Sequence, residues 1–121
     1  MILPLGASCD LDAAFRAPIA VLYKHSPRCG VCVAAEREIR HFAQGHPDVP
    51  VYWLDVLLHR GLAQEVADRS GVAHESPQVM LLAAGTVRLA ASHWNVRAAD
   101  LDVHARLSSV TGGSTAAERR P

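Results

Sequence analysis

Residues 19–23 form one unbroken apolar run, β-branched in part, the pattern of a strand covered on both faces. From Cys32 onward the period changes. Ala35, Ile39, Phe42 and Ala43 recur at helical spacing while Glu36, Arg37, Glu38 and Arg40 face away, so an amphipathic helix follows the strand and ends at Gly45, His46 and Pro47. Val51, Tyr52, Trp53 and Leu54 predict a second strand, and Pro50 before it places its start at a sheet edge. Leu58, Leu62 and Val66 mark one stripe of a further helix, closed by Gly71. After a break at Ser76 and Pro77, residues 78–83 and 86–90 read as two strands turned at Gly85, an antiparallel hairpin. Asn95 is the expected cap of a last helix that turns Ala99, Val103, Leu107 and Val110 inward. Ahead of the first strand, Ser8 or Asp10 caps a short helix through Leu11, Ala14 and Phe15, ended by Pro18. The pattern divides the chain into an N-terminal segment with that helix (residues 1–16), an α/β domain with a central four-stranded mixed sheet flanked by helices (17–111), and a polar tail expected to be disordered (112–121).

Cys29 and Cys32 fall where the first strand hands over to its helix. The free N–H groups and positive dipole end of a helix N-terminus favour thiolate over thiol, so Cys29 is the expected nucleophile. Cys32, one turn further on, leans back toward the N-terminus and is placed to resolve a disulfide at Cys29. Two other readings remain: an inert buried pair, and half of a zinc site. Zinc needs two more ligands. Cys32 and His41 lie nine residues apart on one predicted helix, about 13 Å by its rise, so they do not share a metal. His25 or His74 would have to serve, and no metal is expected.

Composition narrows the function further. The chain has 121 residues, half of them apolar, which is enough for one domain with a core that needs no disulfide staples. Lys plus Arg balances Asp plus Glu at 12 each, and no basic stripe interleaves with aromatics, which argues against a nucleic-acid partner. Three cysteines is an odd count for an exported disulfide protein, so a reducing cytoplasm is the expected location. Residues 1–9 end in Cys9 as a short lipoprotein signal would, but they lack a basic n-region and Gly6 stands where an aliphatic residue is preferred; no leader and no membrane span are expected. Cys9 is read as an incidental thiol.

The order of elements, with Cys-x-x-Cys after the first strand and a proline opening the third, resembles the thioredoxin fold over roughly residues 17–110. That resemblance implies a cis Ser76–Pro77 bond facing the active-site sulfur, with Ser76 backbone groups free to pair with an extended substrate. Three segments narrow it: Lys24, His25 and Ser26 ahead of Cys29; residues 71–78 around the proline; and Ala91, Ser92, His93 and Trp94 after the fourth strand. Together they resemble the bacilliredoxins of the YtxJ type. The resemblance implies a cytosolic, monomeric, stress-response oxidoreductase with no bound cofactor. Its co-substrate would be bacillithiol, a glucosamine-malate-cysteine thiol, and its partners proteins carrying bacillithiol in mixed disulfides. By resemblance Cys29 attacks, and residues 74–78, among them His74, Ser76, Pro77 and Gln78, surround the thiol site with Ser92, His93 and Trp94; Lys24 and Arg28 are added to the site as basic groups near Cys29.

The chain departs from that family at Cys32, where relatives carry a serine-like residue, so dithiol chemistry of thioredoxin type is the alternative. Arg28 replaces the tryptophan usual in thioredoxins, and Tyr23 occupies the strand position where they bury an aspartate. A third reading is a non-catalytic binding or metal module. Lys24, Arg28, His74, His93 and Arg97 are the basic groups expected around the strand ends, suited to the carboxylates of malate. Trp94 is read either as core or as a wall of the sugar site, and Trp53 as core.

Overall fold

The apolar run after Pro18 becomes the second of five strands. The computed structural model describes residues 1–27 and 30–118, with side chains through residue 109. In chain order the elements are β1 Ile2–Pro4, α1 Ser8–Arg16, β2 Ile19–His25, α2 Gly30–Gly45, β3 Val51–Asp55, α3 Arg60–Ser70, β4 Gln78–Ala83, β5 Thr86–Ser92, a 3-10 turn His93–Asn95, and α4 Ala98–Glu118. The sheet order is β1-β3-β2-β4-β5. β3 runs parallel to both β1 and β2, while β2–β4 and β4–β5 are antiparallel.

The sheet is mixed, as expected, but has five strands rather than four. The added strand is β1, too short to show any alternation, and it covers the flank of β3. Pro50 therefore does not open an edge strand: β3 is internal, and the Pro50 carbonyl accepts the Val21 N–H at 2.9 Å. Alternate residues of each central strand face opposite layers. On one side Val21, Tyr23, Val79 and Leu81 pack against Ile39 and Phe42 of α2 and Leu101 of α4. On the other, Ala20, Leu22, Leu54 and Met80 pack against Leu11 and Ala14 of α1 and Ala63 and Val66 of α3.

Local chemistry explains the ends of several elements. Asp10 reaches back to accept the Gly6 and Ala7 N–H groups at 2.9 and 3.0 Å, which fixes the start of α1. Gly71 closes α3 in the left-handed conformation, φ 76°. Leu58 does not join the α3 stripe; it precedes the helix and is exposed, and Ala63 with Val66 forms the buried face. Asn95 does not cap α4. It ends the 3-10 turn, and α4 is capped from another helix, with the Ala98 N–H donating to Glu38 Oε1 of α2 at 2.7 Å. The face of α4 is also rotated from the expected one. Ala98, Leu101, Ala105 and Ser108 are buried, whereas Ala99, Val103 and Leu107 face solvent, and the side chain of Val110 lies outside those described. The α4 backbone continues through Gly112, the expected start of the polar tail, as far as Glu118; residues 119–121 lie outside the described residues.

Candidate active site

Register places four strand ends together. Lys24 of β2 is opposite Gln78 of β4, Gln78 is opposite Ser92 of β5, and His25 is opposite Asp55 of β3. The loop leaving β2, the loop entering β4 and the turn after β5 therefore meet at one end of the sheet, where α2 begins. Cys29 and Arg28 lie outside the described residues; α2 starts at Gly30, the next residue in the chain. Cys32 is buried, 1% exposed, in the first turn of α2. Cys9 stands exposed on α1.

The Ser76–Pro77 peptide is cis, and the Pro77 carbonyl accepts the His93 N–H at 2.9 Å, which ties the proline loop to the 3-10 turn. A second tie runs between side chains, His93 Nε2 to Glu75 Oε1 at 2.7 Å. Gln78 is buried beneath this loop. Its amide donates to the Ala73 carbonyl at 3.0 Å and to Ser92 Oγ at 3.4 Å, and its Oε1 is buried with no partner, as is Ser76 Oγ. Such orphaned polar atoms are costly in a folded interior, and both flank the cis Ser76–Pro77 bond.

Lys24 does not stand at the surface as a cation offered to ligand. It is 1% exposed, and its Nζ donates to Nδ1 of His74 at 3.1 Å. Burial pushes its pKa down from 10.5 to about 8. His74 is held below the ordinary histidine value, first by desolvation and then by the Lys24 charge, so its ring is the neutral acceptor in this pair.

On the α2 side of the sheet, Tyr23 is fully buried, and its hydroxyl bonds Nδ1 of His25 at 2.9 Å. His25 packs against the Trp53 ring at 4.9 Å, and its Nε2 lies 3.9 Å from Glu36, which also bonds Arg40. Desolvation lowers the His25 pKa against the opposing pull of Glu36 and Asp55. The alternation of β2 puts Tyr23 and His25 on one face, a signal present in the sequence, yet His25 is absent from the expected site residues. Trp53 is half-buried in this cluster, with the Arg40 guanidinium 4.9 Å above its ring. Trp94, by contrast, is 67% exposed and belongs to no core.

Among the described residues no group of three or more His, Cys, Asp or Glu side chains is arranged to hold a metal ion. No helix among them is long and apolar enough to cross a membrane. The arrangement provides a helix start at the sheet end that carries the cis-proline loop, with a buried thiol in the first turn of that helix, a setting suited to thiol-disulfide exchange.

A profile of the family described as monothiol bacilliredoxin BrxC matches residues 10–101. Among solved structures, a thioredoxin-fold protein provisionally described as an oxidoreductase superposes with a TM-score of 0.79 at 22% identity, covering 86% of this chain and 93% of that one. Thioredoxin from Trypanosoma brucei brucei gives 0.71 at 15% identity, with 92% and 93% coverage. The thioredoxin NaTrxh of Nicotiana alata gives 0.68 at 20% identity, with 88% and 91% coverage.

Proposed function

Because the chain belongs to the monothiol bacilliredoxin family and is a thiol-disulfide oxidoreductase of the thioredoxin fold, we propose that its substrates are mixed disulfides between bacillithiol and protein cysteines. The observation that carries this reading is the span of the family match. Residues 10–101 take in Cys29, Cys32, the Ser76–Pro77 bond and His93, whose flanking elements converge at one end of the sheet.

In the reaction, the Cys29 thiolate attacks the bacillithiol sulfur of the mixed disulfide. A new S–S bond joins Cys29 to bacillithiol, the old S–S bond breaks, and the protein thiolate leaves and takes a proton from water. The adduct clears by one of two routes. A second bacillithiol thiolate attacks it and leaves as bacillithiol disulfide, or Cys32 attacks Cys29, forming the intramolecular disulfide and releasing bacillithiol. Incubating the reduced protein with a bacillithiolated substrate and following transfer by mass spectrometry is expected to show bacillithiol on Cys29 or a Cys29–Cys32 disulfide. A substrate that keeps its bacillithiol overturns the proposal.

A second reading, a general dithiol reductase, is favoured by one observation: a cysteine buried in the first turn of α2 in a family described as monothiol. The two readings part at Cys32→Ser. A monothiol enzyme continues to turn over with bacillithiol as reductant, whereas a dithiol reductase stalls as the mixed disulfide.

A further inference from the structure

Beside the first turns of α2, facing the 3-10 turn, lies a groove of about 400 Å³ lined by Ala34, Arg37, Glu38, His93, Trp94 and Arg97. Its charged groups are unequally committed. Glu38, the acid in the lining, spends Oε1 on the Ala98 N–H, and the His93 ring is held by Glu75. Arg40, Arg69 and Arg106 each bridge a carboxylate, but among the described residues Arg37 and Arg97 bridge none and are exposed. The groove therefore presents two guanidiniums that no described carboxylate bridges, beside one carboxylate, Glu38, that is engaged by the Ala98 N–H.

The exposure of Trp94 is built into the backbone. His93 takes a left-handed conformation, φ 58°, rarely adopted outside glycine, and it is fixed there by its N–H bond to Pro77 and its ring bond to Glu75. That turn delivers the next residue, Trp94, to solvent at the groove wall rather than to the core. Arg37 is seven residues beyond Gly30, about 10 Å along the helix axis. The Arg37 side chain leans back toward the helix start, so it can meet a negatively charged group carried at a distance from a sulfur there.

We propose that this groove is the subsite for the sugar-acid end of the thiol co-substrate, Arg37 and Arg97 taking its carboxylates and Trp94 covering its sugar ring. Guanidinium forks match carboxylates bidentately, and an indole face suits the C–H face of a pyranose while leaving its hydroxyls wet. The inference rests on the bacillithiol reading and adds to it a basis for choosing among low-molecular-weight thiols. A neutral thiol gains nothing from the groove.

The test uses glucosaminyl malate, which lacks the cysteine, as an NMR probe of the full chain, alongside steady-state kinetics. The expected result is perturbation of the Trp94 indole and of the Arg37 and Arg97 side-chain signals, lost in the Arg37→Gln/Arg97→Gln variant. In that variant KM for a bacillithiol mixed disulfide rises by about tenfold or more at unchanged kcat, and turnover of hydroxyethyl disulfide stays the same. Trp94→Ala, on a side chain 67% exposed, weakens probe binding as a second check. Perturbation confined to other surfaces, no perturbation, or an unmoved KM overturns the subsite. If probe binding in the groove accompanies failure to remove bacillithiol from protein, the substrate reading falls and the subsite stands. If the double variant removes bacillithiol as well as wild type does, the substrate reading stands and the subsite falls.

Discussion

Lys24 is the residue whose position the sequence least disclosed. A lysine at a strand end is ordinarily a solvated charge, and nothing in the local pattern marks it for burial. The register that sets it opposite Gln78, under the loop carrying His74, is a tertiary fact. Gly71 is readable because one residue supplies both the stop and the left-handed cap. The buried amine has a consequence for stability. Its folded pKa, about 8, lies below the unfolded value of 10.5, so between these the unfolded chain binds more protons and stability rises with pH. At neutral pH the fold bears the cost of the desolvated charge. Lys24→Met is therefore expected to be more stable than wild type by about 1 kcal/mol at neutral pH. Chemical denaturation is expected to show the gain shrinking as pH climbs from about 8 toward 10.5. An advantage that does not vary with pH contradicts this account.

At the scale of elements, α4 shows how a helix can be legible while its face is not. Ala98, Ala99, Leu101, Val103, Ala105 and Leu107 run around the whole helix, so the pattern fits two phases. The choice falls to a distant residue, Glu38, which anchors the Ala98 N–H. Leu101→Ala is expected to cost about 2–5 kcal/mol, and Val103→Ala no more than about 0.5, measured by urea unfolding. The β4–β5 hairpin is readable from Gly85, and the structure shows why. Ala84 and Gly85 both have positive φ, 50° and 82°, the two-residue turn that matches strand twist. A Cβ at Gly85 would lie 2.9 Å from the Phe15 carbonyl oxygen. Gly85→Ala thus meets conformational strain of about 1–2 kcal/mol together with a backbone clash, and a lower melting temperature is its expected signature. Ala84→Gly, at a positive φ, is expected to leave stability equal or higher.

Across the whole molecule, the layers and the convergence of loops at one sheet end follow from element order, because right-handed crossovers leave few ways to join such elements. What escapes a reading of the sequence is short or non-local: β1, the cap from Glu38, and the coupling of His46 to Asp102. The last joins the end of α2 to α4 at 2.7 Å and, through the hydrogen bond from His46, draws the Asp102 carboxyl below its ordinary value. A lowered carboxylate pKa gives stability that is present above the unfolded value, 3.8, and is lost as pH falls through the folded one. His25 and His74 act at higher pH. Their folded pKa values lie below 6.5, so the unfolded chain takes up protons first, and stability declines as pH drops below 6.5. Acid unfolding followed by circular dichroism is expected to begin early through the histidines. His25→Gln should flatten that early part, and His46→Ala should weaken the later part.

The central claim is that this site recognises bacillithiol rather than disulfides in general. Its most direct test is a competition in which one protein, half labelled at a single cysteine with bacillithiol and half with glutathione, is given to the reduced enzyme and both adducts are followed by mass spectrometry. The account predicts removal of bacillithiol by about tenfold or more over glutathione, a preference corresponding to about 1.4 kcal/mol of differential transition-state binding. Equal rates for the two adducts, or faster loss of glutathione, would contradict it.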